Sequence, residues 1–400
     1  MRDLTASQRK IIGSERHVWP NELAFAEAIY AERLELIQED ILARGLSVVI
    51  LFDPENMYWL TGYQTIGYFT FQAMCIPASG KPVIVTRVVN RDMALALPTI
   101  GDAISVFDTQ DHVDVLEAYL KGTVPTGQIG IDTTSRYLNI CDYTRLVDRL
   151  GGRFKPFINV IEAHRMVKTS YELDRMRAAA SAVKAGIDAA LKTIAVGKTD
   201  NDLAAALYQG SIAAGSEYIG HPPMVVTGPR SELCFALWKR NTIEKGDVVL
   251  LEGAGCVDRY HAMMSRSAVV GKATDEHKAT ADALVEILET AIDTIKPGVT
   301  AGEVDFACRQ KVEKRGLGQY FKSRTAYGIG IGFPPNWAEG HIYSLRPNDP
   351  MVLQPNMTFH VIPTMFRTGF GMAISDSVRV TEDGCEVLTN YPRDLMEIDA

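Results

Sequence analysis

The sequence is short of several things, and each shortage closes a class of function. Its six cysteines, Cys75, Cys141, Cys234, Cys256, Cys308 and Cys385, lie scattered, and no two form a CxxC pair. Neither a zinc cluster nor a disulfide framework is built on such spacing, so they read as reduced thiols of a cytoplasmic protein. Positive charge is also scarce: 41 Lys and Arg against 49 Asp and Glu leave a net charge of -8. Nucleic-acid binders usually carry a basic face, and no such partner is expected. No apolar stretch reaches the about 18 residues that a membrane helix needs. The opening residues, MRDLTASQRKIIGSERH, lack the apolar core of a signal peptide and read as an arm over residues 1 to about 20.

What remains is a globular composition, 46% hydrophobic and 22% charged, in a chain of 400 residues, too long for one ordinary core. The first part alternates helix and strand. A helix is expected over 22–44, strands at 46–52, 73–76, 82–86 and 128–132, and helices near 111–121 and 141–150. The second part opens with a long Ala-rich helix that Thr169 or Ser170 can cap, ending near Thr193, and a helix over 199–214. Strands follow at 224–227, 247–252 and 265–270. Two more helices, 274–295 and 300–315, precede strands at 325–332, 357–363, 371–380 and 385–388. The pattern is α+β with an internal pseudo-repeat. Domains of 1–163 and 164–400 are expected. The run Gly328 to Gly332 is not a dinucleotide loop, because Phe-Pro-Pro follows it where a helix is required.

Several landmarks fall in a fixed order: Arg165 to Leu173, Gly246 to Glu252, Arg259 to Ser267, Lys296-Pro-Gly298, Tyr327 to Gly332, Met357 to His360 and Asp376 to Gly384. Together they resemble the creatinase/prolidase/aminopeptidase P superfamily over about 20–390. The resemblance implies a small creatinase-like α/β domain followed by a pita-bread catalytic domain. That superfamily holds two metals with Asp, Asp, His, Glu and Glu. The corresponding positions here are Glu252, Met263, the neighbourhood of Phe333-Pro334, Ile362 and Ser375. Met, Ile and Pro do not hold hard divalent ions, so no metal and no cofactor is expected.

Glu252, the 259–266 segment, Pro334-Pro335 with Trp337 and Glu339, and Met357 to His360 resemble the metal-independent ectoine hydrolase branch. The resemblance implies hydrolytic opening of a cyclic amidine amino acid, with Glu252 as nucleophile or as activator of water. A salt-bridged structural Glu252 is the alternative. A positively charged amidine makes a metal Lewis acid redundant and favours carboxylates, which points to Glu252 and Asp376. His360 and His261 are candidates for proton transfer, or for satisfied structural hydrogen bonds. Tyr260 and Tyr327 are candidates to orient substrate through their hydroxyls, or for core packing, Trp337 for the pocket wall, and Arg266 and Arg346 for holding a substrate carboxylate or for structural pairing. By resemblance, Tyr68, Phe69 and Phe71 cap the partner's pocket in a homodimer; otherwise they form a local apolar turn. Relatives carry a histidine where Phe235 stands, which leaves the substrate open. A creatinase-like amidinohydrolase, an Xaa-Pro peptidase and a non-catalytic ligand binder are the competing functions.

Overall fold

The computed structural model describes Gln8 and residues 22–399, so the N-terminal arm lies, Gln8 apart, outside the described residues. The chain divides into two compact units, Met1–His164 and Arg165–Ala400.

The first unit contains α1 (Glu27–Ala43), β1 (Leu46–Leu51), α2 (Pro54–Thr61), β2 (Gln72–Pro77), β3 (Val83–Arg87), α3 (Arg91–Leu95), β4 (Asp102–Val106), α4 (His112–Thr123), β5 (Gln128–Ile131), α5 (Ile140–Leu150) and β6 (Phe154–Pro156). A last helix, α6 (Val160–Met166), runs through the point of division. The strands form one mixed sheet in the order β4-β3-β2-β1-β5-β6. Its core is Val48, Ile50, Phe52, Cys75, Val85, Ile129 and Ile131 against Leu116 and Leu120 of α4. Pro54, two residues past the strand expected at 46–52, starts α2, where a fixed φ and a missing N–H cost nothing.

The second unit opens with α7 (Ser170–Thr193) and α8 (Asp200–Ala213), then β7 (Met224–Thr227), β8 (Val248–Val257) and β9 (Tyr260–Val270). Thr169 is the cap of α7: its backbone N–H and its hydroxyl both donate to Glu172 at 2.8 Å. Next come α9 (Asp275–Thr294), α10 (Ala301–Lys314), β10 (Ala326–Phe333), β11 (Asn336–Ala338), β12 (Ser344–Leu345), β13 (Thr358–Val361), β14 (Thr364–Arg367), β15 (Phe370–Ala373), β16 (Asp376–Val380), β17 (Cys385–Val387) and β18 (Met396–Ile398). The main sheet runs β17-β16-β13-β10-β9-β8-β7, with β11 and β12 on β10, β18 on β9, and β14-β15 as a separate hairpin. The helix-pair-then-strands order thus occurs twice, and the class is α+β. Close contact sets one packing choice. A Cβ at Gly255 would come 2.0 Å from the Ala179 carbonyl oxygen, so only glycine lets β8 lie this near α7. The two strands expected at 247–252 and 265–270 are halves of one long hairpin, turned at Asp258 and Arg259 with φ of 48° and 63°. The strand expected at 371–380 is broken at Ile374 and Ser375, where Ser375 bridges to Ser265 of β9.

Candidate active site

Glu252 lies mid-way along β8, opposite Met224 of β7 and Ser265 of β9. Every β8 residue but the last is buried, and Glu252 itself is only 4% exposed. It reaches the wall of a cavity of about 460 Å³ whose other walls include Met224, Val226, Leu250, Ile362, Phe366 and Trp337. No ion-pair partner for Glu252 stands among the described residues. Burial pushes its carboxyl up to about 8, eased only by the neighbouring Ser265 hydroxyl. An acid this deep, without a counter-ion, is a place for a ligand that brings positive charge.

Tyr327, the first inward residue of β10, shares that cavity. Its hydroxyl accepts from Trp337 Nε1 at 3.3 Å and lies 2.7 Å from His360 Nδ1. His360 Nε2 in turn lies 2.7 Å from Ser375 Oγ, which accepts the Ser265 backbone N–H at 2.7 Å. Register brings these groups together, since Tyr327 faces His360 across β10-β13 and His360 faces Ser377 across β13-β16. Burial, then the charges of Arg266 and His221, hold His360 down to about 3, so the ring is neutral. Burial, then Glu252, raises the Tyr327 phenol well above its usual range. The result is a chain of uncharged groups running from the cavity wall to Ser375.

The superfamily's metal positions are now in view. Glu252, Tyr327 and Ile362 face the cavity. Ser375 is spent on His360 and Ser265, and Met263 is fully buried. Phe333, near the third of these positions, is not among the residues lining the cavity. It is buried beneath the Arg259 guanidinium, 4.8 Å from the ring centre, whereas Tyr327 occupies the cavity at the head of the Gly-rich strand. One carboxylate and one phenol do not fit a pair of hard divalent ions. Among the described residues no group of three or more His, Cys, Asp or Glu is placed to hold a metal.

Other candidates stand elsewhere. Asp376 is enclosed by Arg266 at 3.0 Å, Arg393 at 2.8 Å and Thr389 at 3.0 Å, and so belongs to a buried ionic knot rather than to the cavity wall. Arg266 spends its remaining donors on the carbonyls of Ser265, Ser375, Tyr391 and Pro392. His261 accepts the Gly220 N–H at Nε2, 3.0 Å, and meets the Arg259 carbonyl at Nδ1, 2.9 Å. Both ring nitrogens are therefore committed to backbone, and burial holds its pKa well down. Tyr260 donates to Glu172 at 2.7 Å. Arg346 pairs with Asp349 on the surface. In the first unit Tyr68 packs edge-on to Tyr137 and Phe71 stacks on His112, while Phe69 is exposed.

Sequence reasoning missed His221, Cys234, Arg324 and Thr364, all on the cavity wall. Arg324 lies four residues after Tyr320 in an irregular segment; its Nη1 holds the Gly340 carbonyl and Ser344, and its other nitrogens have no described partner. Phe235, 75% exposed at the wall, has a φ of 62°, a strained conformation for an aromatic residue and one that clusters at functional sites.

The fold and the cavity define the class. Residues 33–167 match the creatinase/prolidase N-terminal domain and residues 174–382 match metallopeptidase family M24, and the chain belongs to that family. It is 29% identical over 393 residues to the ectoine hydrolase of Halomonas elongata, covering 93% of this chain and 98% of that protein. Among solved structures it is similar to the prolidase of Thermococcus sibiricus, with a TM-score of 0.83 at 23% identity over 92% of this chain and 99% of the other. It is also similar to dipeptidase PepE of Mycobacterium ulcerans, with a TM-score of 0.80 at 24% identity over 94% of this chain and 100% of the other. No helix among the described residues is long and apolar enough to cross a membrane.

Proposed function

We propose that this hydrolase opens the cyclic amidine ring of ectoine, or of a close analogue, to an N-acetylated diamino acid, without a metal and in the cytoplasm. The observation that carries the reading is Glu252: a buried acid without a counter-ion at the wall of an apolar cavity. A protonated amidine entering there supplies the missing positive charge, ionises Glu252 and presents its electrophilic carbon to the carboxylate. Glu252 bonds to that carbon, and the C–N bond then breaks as the departing ring nitrogen takes up a proton from solvent, leaving an imidate cation bonded to Glu252. Tyr327, held by Trp337 and His360, hydrogen-bonds the amidine edge, and the flat cation lies against Trp337. Arg324, with donors to spare at the cavity wall, holds the substrate carboxylate. Lewis-acid help is not needed for an electrophile that already carries positive charge. The 29% identity to an ectoine hydrolase supports this substrate class.

A homodimer in which the exposed Phe69 reaches the partner's cavity completes the proposal. Tyr68 and Phe71, packed inside their own unit, brace that turn. The test is incubation with ectoine, with and without EDTA, followed by mass analysis. The expected result is a gain of one water in both conditions. No gain in either sinks the substrate, and loss with EDTA alone sinks the metal-free chemistry.

A further inference from the structure

Beside the cavity lies a second space of about 640 Å³, walled by Tyr208, Ser211, Tyr218, Pro222 and Pro334 among others. One side chain belongs to the walls of both spaces, that of His221. Its position is built into the fold. The preceding Gly220 N–H is held by the buried His261. No larger residue fits at 220, since a Cβ there would come 2.2 Å from the Asn336 carbonyl oxygen. The imidazole lies on Trp337, with ring centres 3.3 Å apart and planes at 31°.

The hydrogen bonds also fix which nitrogen is free. His221 Nδ1 lies 2.7 Å from the Pro222 carbonyl oxygen, and a carbonyl only accepts, so Nδ1 carries the hydrogen. The lone pair is then on Nε2, which has no partner among the described residues. Burial holds the ring below its usual pKa, so that lone pair is available at neutral pH. The second space has a largely apolar wall, and His221 is the residue through which it meets the first.

We propose that His221 is the general base of the hydrolytic half-reaction, taking a proton at Nε2 from a water that arrives through the second space. The assignment rests on the ring-opening reading of the site. The water oxygen bonds to the carbon attached to Glu252, and the proton passes to His221 Nε2. The bond between that carbon and the Glu252 oxygen then breaks, returning the carboxylate, and the remaining hydroxyl proton passes to solvent, leaving an amide. The proton on His221 passes to the amine freed in the first half. His261, which never touches substrate, is a positioning residue for this base.

The test uses the full chain with ectoine as substrate, and His221→Ala and His221→Gln as variants. A general base contributes about 10²–10⁴-fold, so kcat should fall at least about 100-fold and KM should fall with it, while kcat/KM, set by the first half-reaction, stays within about threefold. Acid-quenched variant protein should carry a mass adduct on Glu252 that wild type does not accumulate. Added imidazole should restore His221→Ala by about tenfold or more and leave His221→Gln unchanged, a contrast that a purely structural role would not produce. Either variant turning over within about threefold of wild type overturns the proposal. So does a loss of turnover with neither adduct nor imidazole rescue. If wild type itself adds no water to ectoine, the ring-opening reading fails and this proposal with it; an active wild type with indifferent variants overturns this proposal alone.

Discussion

Replacing Glu252 by glutamine removes an acid that burial holds near pH 8, and the consequence for stability has a definite sign. The unfolded chain loses this proton near the usual 4.5, the folded chain near 8. Between those values the folded state holds the extra proton, so the acid's contribution to stability falls as pH rises through the window. At about 1.4 kcal/mol per pH unit, the move from 4.5 to about 8 corresponds to roughly 5 kcal/mol when both states are ionised. Water in the adjoining cavity screens part of this, which brings the effect to on the order of 2–5 kcal/mol. Glu252→Gln is exempt from it. Its melting temperature should therefore pull ahead of wild type by about 5–15 °C between pH 5 and pH 9, taking about 2–4 °C per kcal/mol for a unit of this size. Differential scanning fluorimetry across that range, without substrate, is the assay. A difference that stays flat with pH would mean that Glu252 is solvated or paired, and the case for a cation-seeking acid would fall. The same variant should have no measurable turnover.

Two further outcomes follow from the geometry. Asp376→Asn leaves Arg266 and Arg393 facing an uncharged partner in the interior. Breaking such a buried network costs about 3–5 kcal/mol, to be read as a lower denaturant midpoint with KM unchanged in the folded fraction. An unchanged midpoint would show that the knot is not structural. Arg324→Ala should raise KM for ectoine about 10–100-fold, the worth of a charge-assisted bond, with kcat little changed. An analogue lacking the carboxylate should bind wild type and variant alike in steady-state kinetics. Equal KM for ectoine would remove Arg324 from the substrate site.

Much of the fold was legible because its signals are local. The α7 cap at Thr169 and Glu172, the glycine-ended helices and the apolar runs at 46–51 and 224–227 each follow from a few neighbouring residues. The helix that Pro54 starts was not foreseen: a proline after a strand can end one element or start the next, and only packing chooses. Within the site, Glu252 stood out in the sequence as a carboxylate inside an apolar strand, with a salt-bridged structural role as the alternative, and the structure shows it buried on a cavity wall. His221 did not stand out, since a histidine ahead of Pro222-Pro223 sits in no periodic pattern. It enters the cavity because His261 and the 336–337 backbone hold Gly220 in place. Asp376 and Arg266 mark the opposite error. They looked like pocket residues because their strands line the pocket, but side chains alternate across a strand, and these two point into the ionic knot behind it.

The sequence by itself determined the α+β order and its two halves, because periodicity and capping are written residue by residue. The tertiary structure alone decided which polar groups are spent and which are free. Cross-strand register sets Tyr327 opposite His360, whose Nε2 meets Ser375; packing leaves Glu252 without a counter-ion, and His221 Nε2 without a partner, among the described residues. Those outcomes depend on residues dozens of positions apart meeting within hydrogen-bond distance, which no local pattern encodes.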